Sequence, residues 1–427
     1  MKFKPLEDCL AIPLRNGLTK PKKVRGQGYK MVNMGELFST PIIDELEMDR
    51  VPLTEKEKVS LLEAGDLLFA RQSLVREGAG QCSIFWNDAE EVCFESHIIR
   101  CRINRQKADP LFLFYYFQSN LGKSNVDFYV EQGAGAAGIR GTDLLKVLVP
   151  DIDVEHQSKV AKTLYQLDRK IKNNFLVNQT LEQMAQAIFK SWFVEFDPVK
   201  AKMNGELPEG MDAATASLFP EKLVESELGL IPEGWSASSM GEHFNITMGQ
   251  SPKGETYNEE GEGIAFFQGR RDFGFRYPDV RVYTTDPKRF AKAGDTLISV
   301  RAPVGDKNMA AIDCCIGRGV AAIKHKSDSR SFTYAFMSHI EKKLGDSGSS
   351  GTVFSSINQK ELKKVSFVAP PQELIEAFHK IVDPIDQKVE VLSKEIESLS
   401  SLRDTLLPKL LSGEIELGET EEMAEVN

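Results

Sequence analysis

Val160-Ala-Lys-Thr-Leu-Tyr-Gln-Leu-Asp-Arg-Lys-Ile171 and Phe378-His-Lys-Ile-Val-Asp-Pro-Ile-Asp-Gln-Lys-Val389 lie 218 positions apart and share one apolar register, with Asp168 and Lys170 falling on Asp386 and Lys388. The seam of the first copy runs Val160, Leu164, Leu167, Ile171, then Leu181, Ala185, Ile188 and Trp192. That of the second runs Phe378, Val382, Ile385, Val389, Leu392, Ile396, Leu399, then Leu406 and Leu410. Steps of four and three mark a helix whose narrow stripe packs on a partner helix, and the other copy is the obvious partner. Asn174, Asn178 and Arg403 interrupt the seam, and polar groups there favour one pairing over others. The first copy predicts a helix from Val154 to Phe196, stopped by Asp197-Pro198 and on the order of 60 Å long at about 1.5 Å per residue.

Each copy follows a domain-sized segment. Residues 1–150 alternate short apolar runs with turns, as in Ala64-Gly-Asp-Leu-Leu-Phe-Ala-Arg71, and carry one predicted helix at Asp109–Gln118 with Pro110 in its first turn. Residues 235–370 repeat the plan in Ala293-Gly-Asp-Thr-Leu-Ile-Ser-Val-Arg301 and a helix over Ser331–Leu344. The expected architecture is therefore two α/β (α+β) units separated by long helices, an internal duplication with pseudo-two-fold symmetry. Its boundaries are 1–150 for the first unit, 151–197 for the first long helix and 198–234 for a linker with little structure of its own. The second unit then occupies 235–370, the second long helix 371–413, and an acidic, disordered tail 414–427.

A chain of 427 residues with 41% hydrophobic and 27% charged residues has the composition of a soluble protein of several domains. It has no apolar run long enough for a membrane span and no secretory signal, so the expected compartment is the cytoplasm, with no membrane partner. Six cysteines without CxxC spacing read as buried thiols. The net charge of −10 is unevenly spread: 0 over 1–150, −5 over 151–234, +4 over 235–370, −3 over 371–413 and −6 over 414–427. The acid lies on the helices and tail, leaving the α/β segments free to present a basic face to nucleic acid.

The richest chemistry is Phe266-Phe-Gln-Gly-Arg-Arg-Asp-Phe-Gly-Phe-Arg-Tyr277, in which Arg270, Arg271 and Arg276 interleave with five aromatic rings. Arginine forks onto guanine edges or phosphates, and Gln268 suits adenine. The blander alternative is a strand-turn-strand with solvated arginines. In the first half the basic loop Arg15-Asn-Gly-Leu-Thr-Lys-Pro-Lys-Lys-Val-Arg25 supplies Arg15, Lys22, Lys23 and Arg25. Arg71 and Arg301, which end the two echoing strands, join the candidates. Gly133-Ala-Gly-Ala-Ala-Gly138 fits GxGxxG but lacks the strand and helix of a dinucleotide site. It and Ser347-Gly-Ser-Ser-Gly-Thr352 read as flexible loops whose amides, with Arg140 or Thr352, can touch phosphates. No phosphate loop, HExxH motif or metal-spaced His/Cys cluster is present, so no catalytic, cofactor-binding or metal-ligating residues are assigned.

At this point the chain resembles the DNA-specificity (S) subunits of Type I restriction-modification systems. The resemblance rests on Phe189-Lys-Ser-Trp-Phe-Val-Glu-Phe-Asp-Pro198, on Leu228-Gly-Leu-Ile-Pro-Glu-Gly-Trp235, on Leu406-Leu-Pro-Lys-Leu-Leu-Ser-Gly-Glu-Ile415, and on Glu155-His-Gln157 before Val160. It implies two target-recognition domains, each reading half of a bipartite asymmetric site on double-stranded DNA, and long helices paired as an antiparallel coiled coil that sets the spacing. It also implies two modification (M) subunits docked on equivalent faces, with restriction (R) subunits in the full complex. S-adenosylmethionine, ATP and Mg would belong to those partners, and this chain would bind no cofactor and be no enzyme. The first domain has no counterpart of Pro232-Glu-Gly-Trp235, which predicts a shortened opening strand. A coiled-coil scaffold with protein-binding domains, and a specificity subunit of a related methyltransferase system, are the competing readings.

Overall fold

The computed structural model describes residues 2–346 and 356–415, so Thr352 and most of the acidic tail lie outside the described residues. The chain divides into two compact units, one of residues up to Lys172 with those from Glu397 on, the other of Asn173–Ile396. Both combine helix and sheet around their own apolar core.

In the first unit a five-stranded sheet orders Arg15–Asn16, Ile98–Cys101, Asp66–Ala70, Cys82–Asn87 and Ile42–Asp44, antiparallel except for the last pair. In the second, Phe244–Met248, Val320–His325, Thr296–Ser299 and Lys307–Met309 form a four-stranded antiparallel sheet. The echoing strands Asp66–Ala70 and Thr296–Ser299 are wholly buried, each between two neighbours. The duplicated helices follow the sheets at Pro110–Gln118 and Arg330–Asp346. Asp109 caps the first, accepting from the amides of Leu111 and Phe112 at 2.9 and 3.0 Å, with Pro110 in the first turn where no amide is needed. Each domain closes just before its long helix: Phe3–Pro5 pairs with Leu148–Pro150, and Ser236–Ser239 with Ser366–Ala369. The opening strand of the first domain pairs over three residues, that of the second over four.

The long helices span Val154–Phe193 and Gln372–Ser412. Within each unit they run antiparallel. In the first, Val160, Ala161 and Leu164 share a core with Leu407, Leu410 and Leu411, and Arg403 donates to Asp168 at 2.7 Å. In the second, Asn178 donates to Ser393 at 3.2 Å, while Phe189, Trp192 and Phe193 surround Phe378 at ring distances of 5.4–6.0 Å. Asn174 and Asn178 are buried, as seam residues should be.

Three expectations change. Asp197-Pro198 starts a helix, Asp197–Met203, rather than merely ending one; Phe196 takes a left-handed turn at φ 57° and the proline occupies the first turn. Residues 198–234 are folded: a helix at Ala213–Ser217 capped by Asp212, and a hairpin of Leu223–Ser226 with Gly229–Pro232. Val199, Phe219 and Ile231 bury their side chains and pin this segment down. The glycine run 133–138 is a hairpin, Glu131–Gln132 with Ala137–Gly138, extended by Gln72–Ser73, and the one-turn helix Gly141–Leu144 that follows it is not part of the βαβ unit a dinucleotide site needs. All six cysteines are free and buried, and no helix among the described residues is long and apolar enough to cross a membrane.

Candidate nucleic-acid interface

In the second unit the strand Ile264–Phe267 buries Ala265, Phe266 and Phe267 and delivers Gln268 and Gly269 to the surface. Phe266 and Phe267 pair in parallel with Cys315 and Ile316, so the chain beyond Ile316 runs beside Gln268. There the amide of Gly317 donates to Phe267 O at 2.8 Å and that of Gly319 to Gln268 O at 3.2 Å. A Cβ on Gly319 would sit 2.6 Å from Gln268 O, and one on Gly317 3.0 Å from Gln268 Cα. Glycine at 319 is required for this approach, and at 317 a side chain would press on Gln268 and the Phe266 ring.

The result is a concavity of about 540 Å³ whose wall carries Gln268, Arg270, Arg271, Arg281, Arg301 and Arg318, all exposed, with Tyr257 and Phe266 tilted against each other at 4.8 Å. Two acids, Asp272 and Glu259, line it as well. Asp272 is engaged internally, accepting from the Gln268 amide at 3.1 Å and from Arg281. Arg270 pairs with Asp306. Arg271, Arg301 and Arg318 form no ion pair among the described residues, which leaves three guanidiniums available to an anion. Such a wall suits phosphate oxygens and the acceptor edge of guanine.

Four of the sequence-derived candidates, Gln268, Arg270, Arg271 and Arg301, are thus gathered in one place. Arg276 is not with them. It is 2% exposed, held by Glu182 and Asp386 at 2.6 Å each and lying 3.5 Å over the ring of Tyr334, so it is buried and engaged within the protein, contrary to the expectation of a surface contact. The segment alone could not reveal this, because the acids that take Arg276 inward lie on the two long helices. Arg281 and Arg318 escaped the reading; the one signal was an arginine between two glycines directly after an apolar strand.

The first unit gathers less. Arg71 and Arg140 are brought near each other, since the amide of Ile139 donates to Arg71 O at 3.0 Å and Gly138 pairs with Gln72. Arg140 is exposed and pairs with Glu131 at 2.8 Å. Arg15 lies across the sheet from Arg100, which is buried and donates to Val59 O and Leu61 O. Burial lowers the Arg100 pKa from its usual value. Lys22 and Lys23 are exposed on a short turn, and Arg25 is held by Asp49 and Asn33 at 2.7 and 3.1 Å. Two cavities of this unit, one lined by Asp66, Arg102 and Arg105 and the other by Lys4, Asp8 and Asp151, include none of these six.

The family model described as Type I restriction modification DNA specificity domain matches residues 232–401. The putative type I restriction enzyme MjaX specificity subunit of Methanocaldococcus jannaschii is 31% identical over 421 residues, 97% of this chain and 93% of that protein. The type I restriction enzyme HindI specificity subunit of Haemophilus influenzae is 27% identical, over 90% of this chain and 94% of its own. Among solved structures, the Type-I restriction-modification system S subunit from M. genitalium has the same fold, with a TM-score of 0.59 at 18% identity over 96% of this chain and 95% of that one. With identity of that order sustained along nearly its entire length, the chain belongs to the type I restriction enzyme specificity subunits.

Proposed function

We propose that this chain reads a bipartite, asymmetric DNA site for a Type I restriction-modification complex, one α/β domain to each half-site, with the paired helices setting the distance between them. The observation that carries the reading is the arginine-lined concavity of the second unit. Phosphate contacts by its free guanidiniums supply affinity, while Gln268 and a forked arginine on base edges supply sequence preference. The first domain offers a different set around Arg71 and Arg140, and unlike readers make an asymmetric target.

Two M subunits dock on the helices, where Leu176, Met184, Val391 and Leu402 leave apolar side chains exposed. Methyl transfer with S-adenosylmethionine, and ATP- and Mg-dependent work by R subunits, belong to the partners; this chain contributes recognition and geometry in the cytoplasm. The test is a methylation map of a host carrying the M subunit with the parent chain or with Arg271→Ala. The parent gives one two-part motif. Arg271→Ala is expected to weaken binding at that motif by about 1–3 kcal/mol and relax one half of it only. A map without any motif dependent on this chain would overturn the reading.

A further inference from the structure

Within 266–281, one arginine differs from the rest in where it goes. Arg276 donates through Nη1 to Glu182 of the first long helix and through Nη2 to Asp386 of the second, each at 2.6 Å, so a single guanidinium joins both helices of the pair. Tyr334 stacks on it. Its own segment is held around it: the Met309 amide donates to Arg276 O at 2.8 Å, and Gly274 exchanges hydrogen bonds with the Asn308 side chain at 3.2 and 2.9 Å. Phe275 lies edge-on to Phe175 of the first helix at 5.1 Å. A few residues earlier, the Asp272 carboxylate ties down the Gln268 amide and Arg281. Polar bonds thus hold the short segment 272–276 both at the helices and at the concavity wall.

The cluster is poorly built for stability alone. Two carboxylates share one cation, and Arg276 Nε, the second Asp386 oxygen and the Tyr277 hydroxyl are buried without a hydrogen-bond partner. Removing ions from water is costly, and an apolar trio of like volume is commonly as stable as a buried ion cluster. What two charge-assisted bonds from a planar fork do provide is a fixed angle. The duplicated position makes the contrast. Asp168, 218 residues before Asp386, accepts from Tyr115 and from Arg403 at 2.7 Å each, so its cation comes from the opposite helix and none from a recognition loop.

We propose that Arg276 is a positioning residue that locks the reading loop of the second domain to both helices, setting the angle at which Gln268 and Arg271 meet the bases of one half-site. This rests on the recognition role proposed above. In the assembled complex with M subunits, the neutral triple variant Arg276→Met/Glu182→Met/Asp386→Leu removes the cluster without stranding a charge. Methylation of a plasmid library then reads discrimination at each half-site. The expected result is assembly and melting close to the parent, about a tenfold loss of discrimination against single mismatches in the half-site of the second domain, and none in the other. Arg276→Lys keeps the charge without the fork and should lose part of the same discrimination. Full discrimination in the folded triple variant, or an equal loss at both half-sites, overturns the proposal. Should the triple variant fail to assemble, Arg276→Lys decides: a loss confined to one half-site supports it, and none overturns it. A parent with no two-part motif would overturn the recognition role itself, a separate result.

Discussion

His325 is buried among Phe244, Phe332 and Phe367, with the His243 ring stacked 6.2 Å away. Burial first, then the neighbouring His243 and Lys326, hold its pKa down to about 4, below the 6.5 of a free imidazole. Its Nδ1 accepts from the Ser327 amide at 3.1 Å, while Nε2 has no partner. The folded state thus resists a proton that the unfolded chain accepts, so the stability due to a neutral His325 is complete above about pH 6.5 and is lost as pH falls toward 4. The loss is up to roughly 3 kcal/mol. His325→Phe should therefore melt with a shallower dependence between pH 7 and 4.5 than the parent in calorimetry; parallel curves would refute the assignment. At this scale the sequence was legible only for side chains whose surroundings lie nearby in the chain. Gln268, Arg270 and Arg271, singled out from their own segment, do come together on one wall. The burial of Arg276 was not legible because Glu182 and Asp386 lie about a hundred residues away on either side, and Arg318 was missed because its neighbour Gln268 adjoins it through sheet pairing.

The long helices are the elements the sequence specified best, since a seven-residue repeat records the partner as well as the helix. They run over Val154–Phe193 and Gln372–Ser412, where a helix from Val154 to Phe196 and a second over 371–413 were expected. Pro384 lies inside the second helix, where it removes one backbone hydrogen bond, and the buried neighbours Val382 and Val389 keep that turn packed. The segment 198–234 was misread for the opposite reason: Val199, Phe219 and Ile231 anchor it, but three isolated apolar residues among prolines and glycines follow no period. The proposed spacing role of the helices has its own test. Seven residues inserted after Lys172 and again after Ile396 preserve the seam and lengthen each helix by about 10 Å. The recognised site should keep both half-sites and gain roughly three base pairs between them, at about 3.4 Å each. Methylation mapping that returned altered half-sites and an unchanged interval would contradict that role.

For the molecule as a whole, the first unit is completed by the last part of the chain. Leu407, Leu410 and Leu411 belong to the same core as Phe112, Leu144 and Val160, and Arg403 reaches Asp168. Losing one buried leucine costs about 2–5 kcal/mol, and a domain has only about 5–15 kcal/mol in all. A chain ending at Ile396 should therefore lose hydrogen-exchange protection in residues 2–172 while the strands of the second unit stay protected. Equal protection in both units would show that the final helix segment is dispensable. No local pattern announced this arrangement, which depends on which turn of one helix meets which turn of the other.

The same interlacing sets an order of events during synthesis. At about 5–20 residues per second, the first recognition domain waits on the order of tens of seconds for its closing leucines, while everything the second unit needs has already emerged. The half of the protein made first is thus finished last. A message cut short near its 3′ end would yield a chain able to complete the second unit and not the first, so an incomplete product would lack one of its two folded units from the outset.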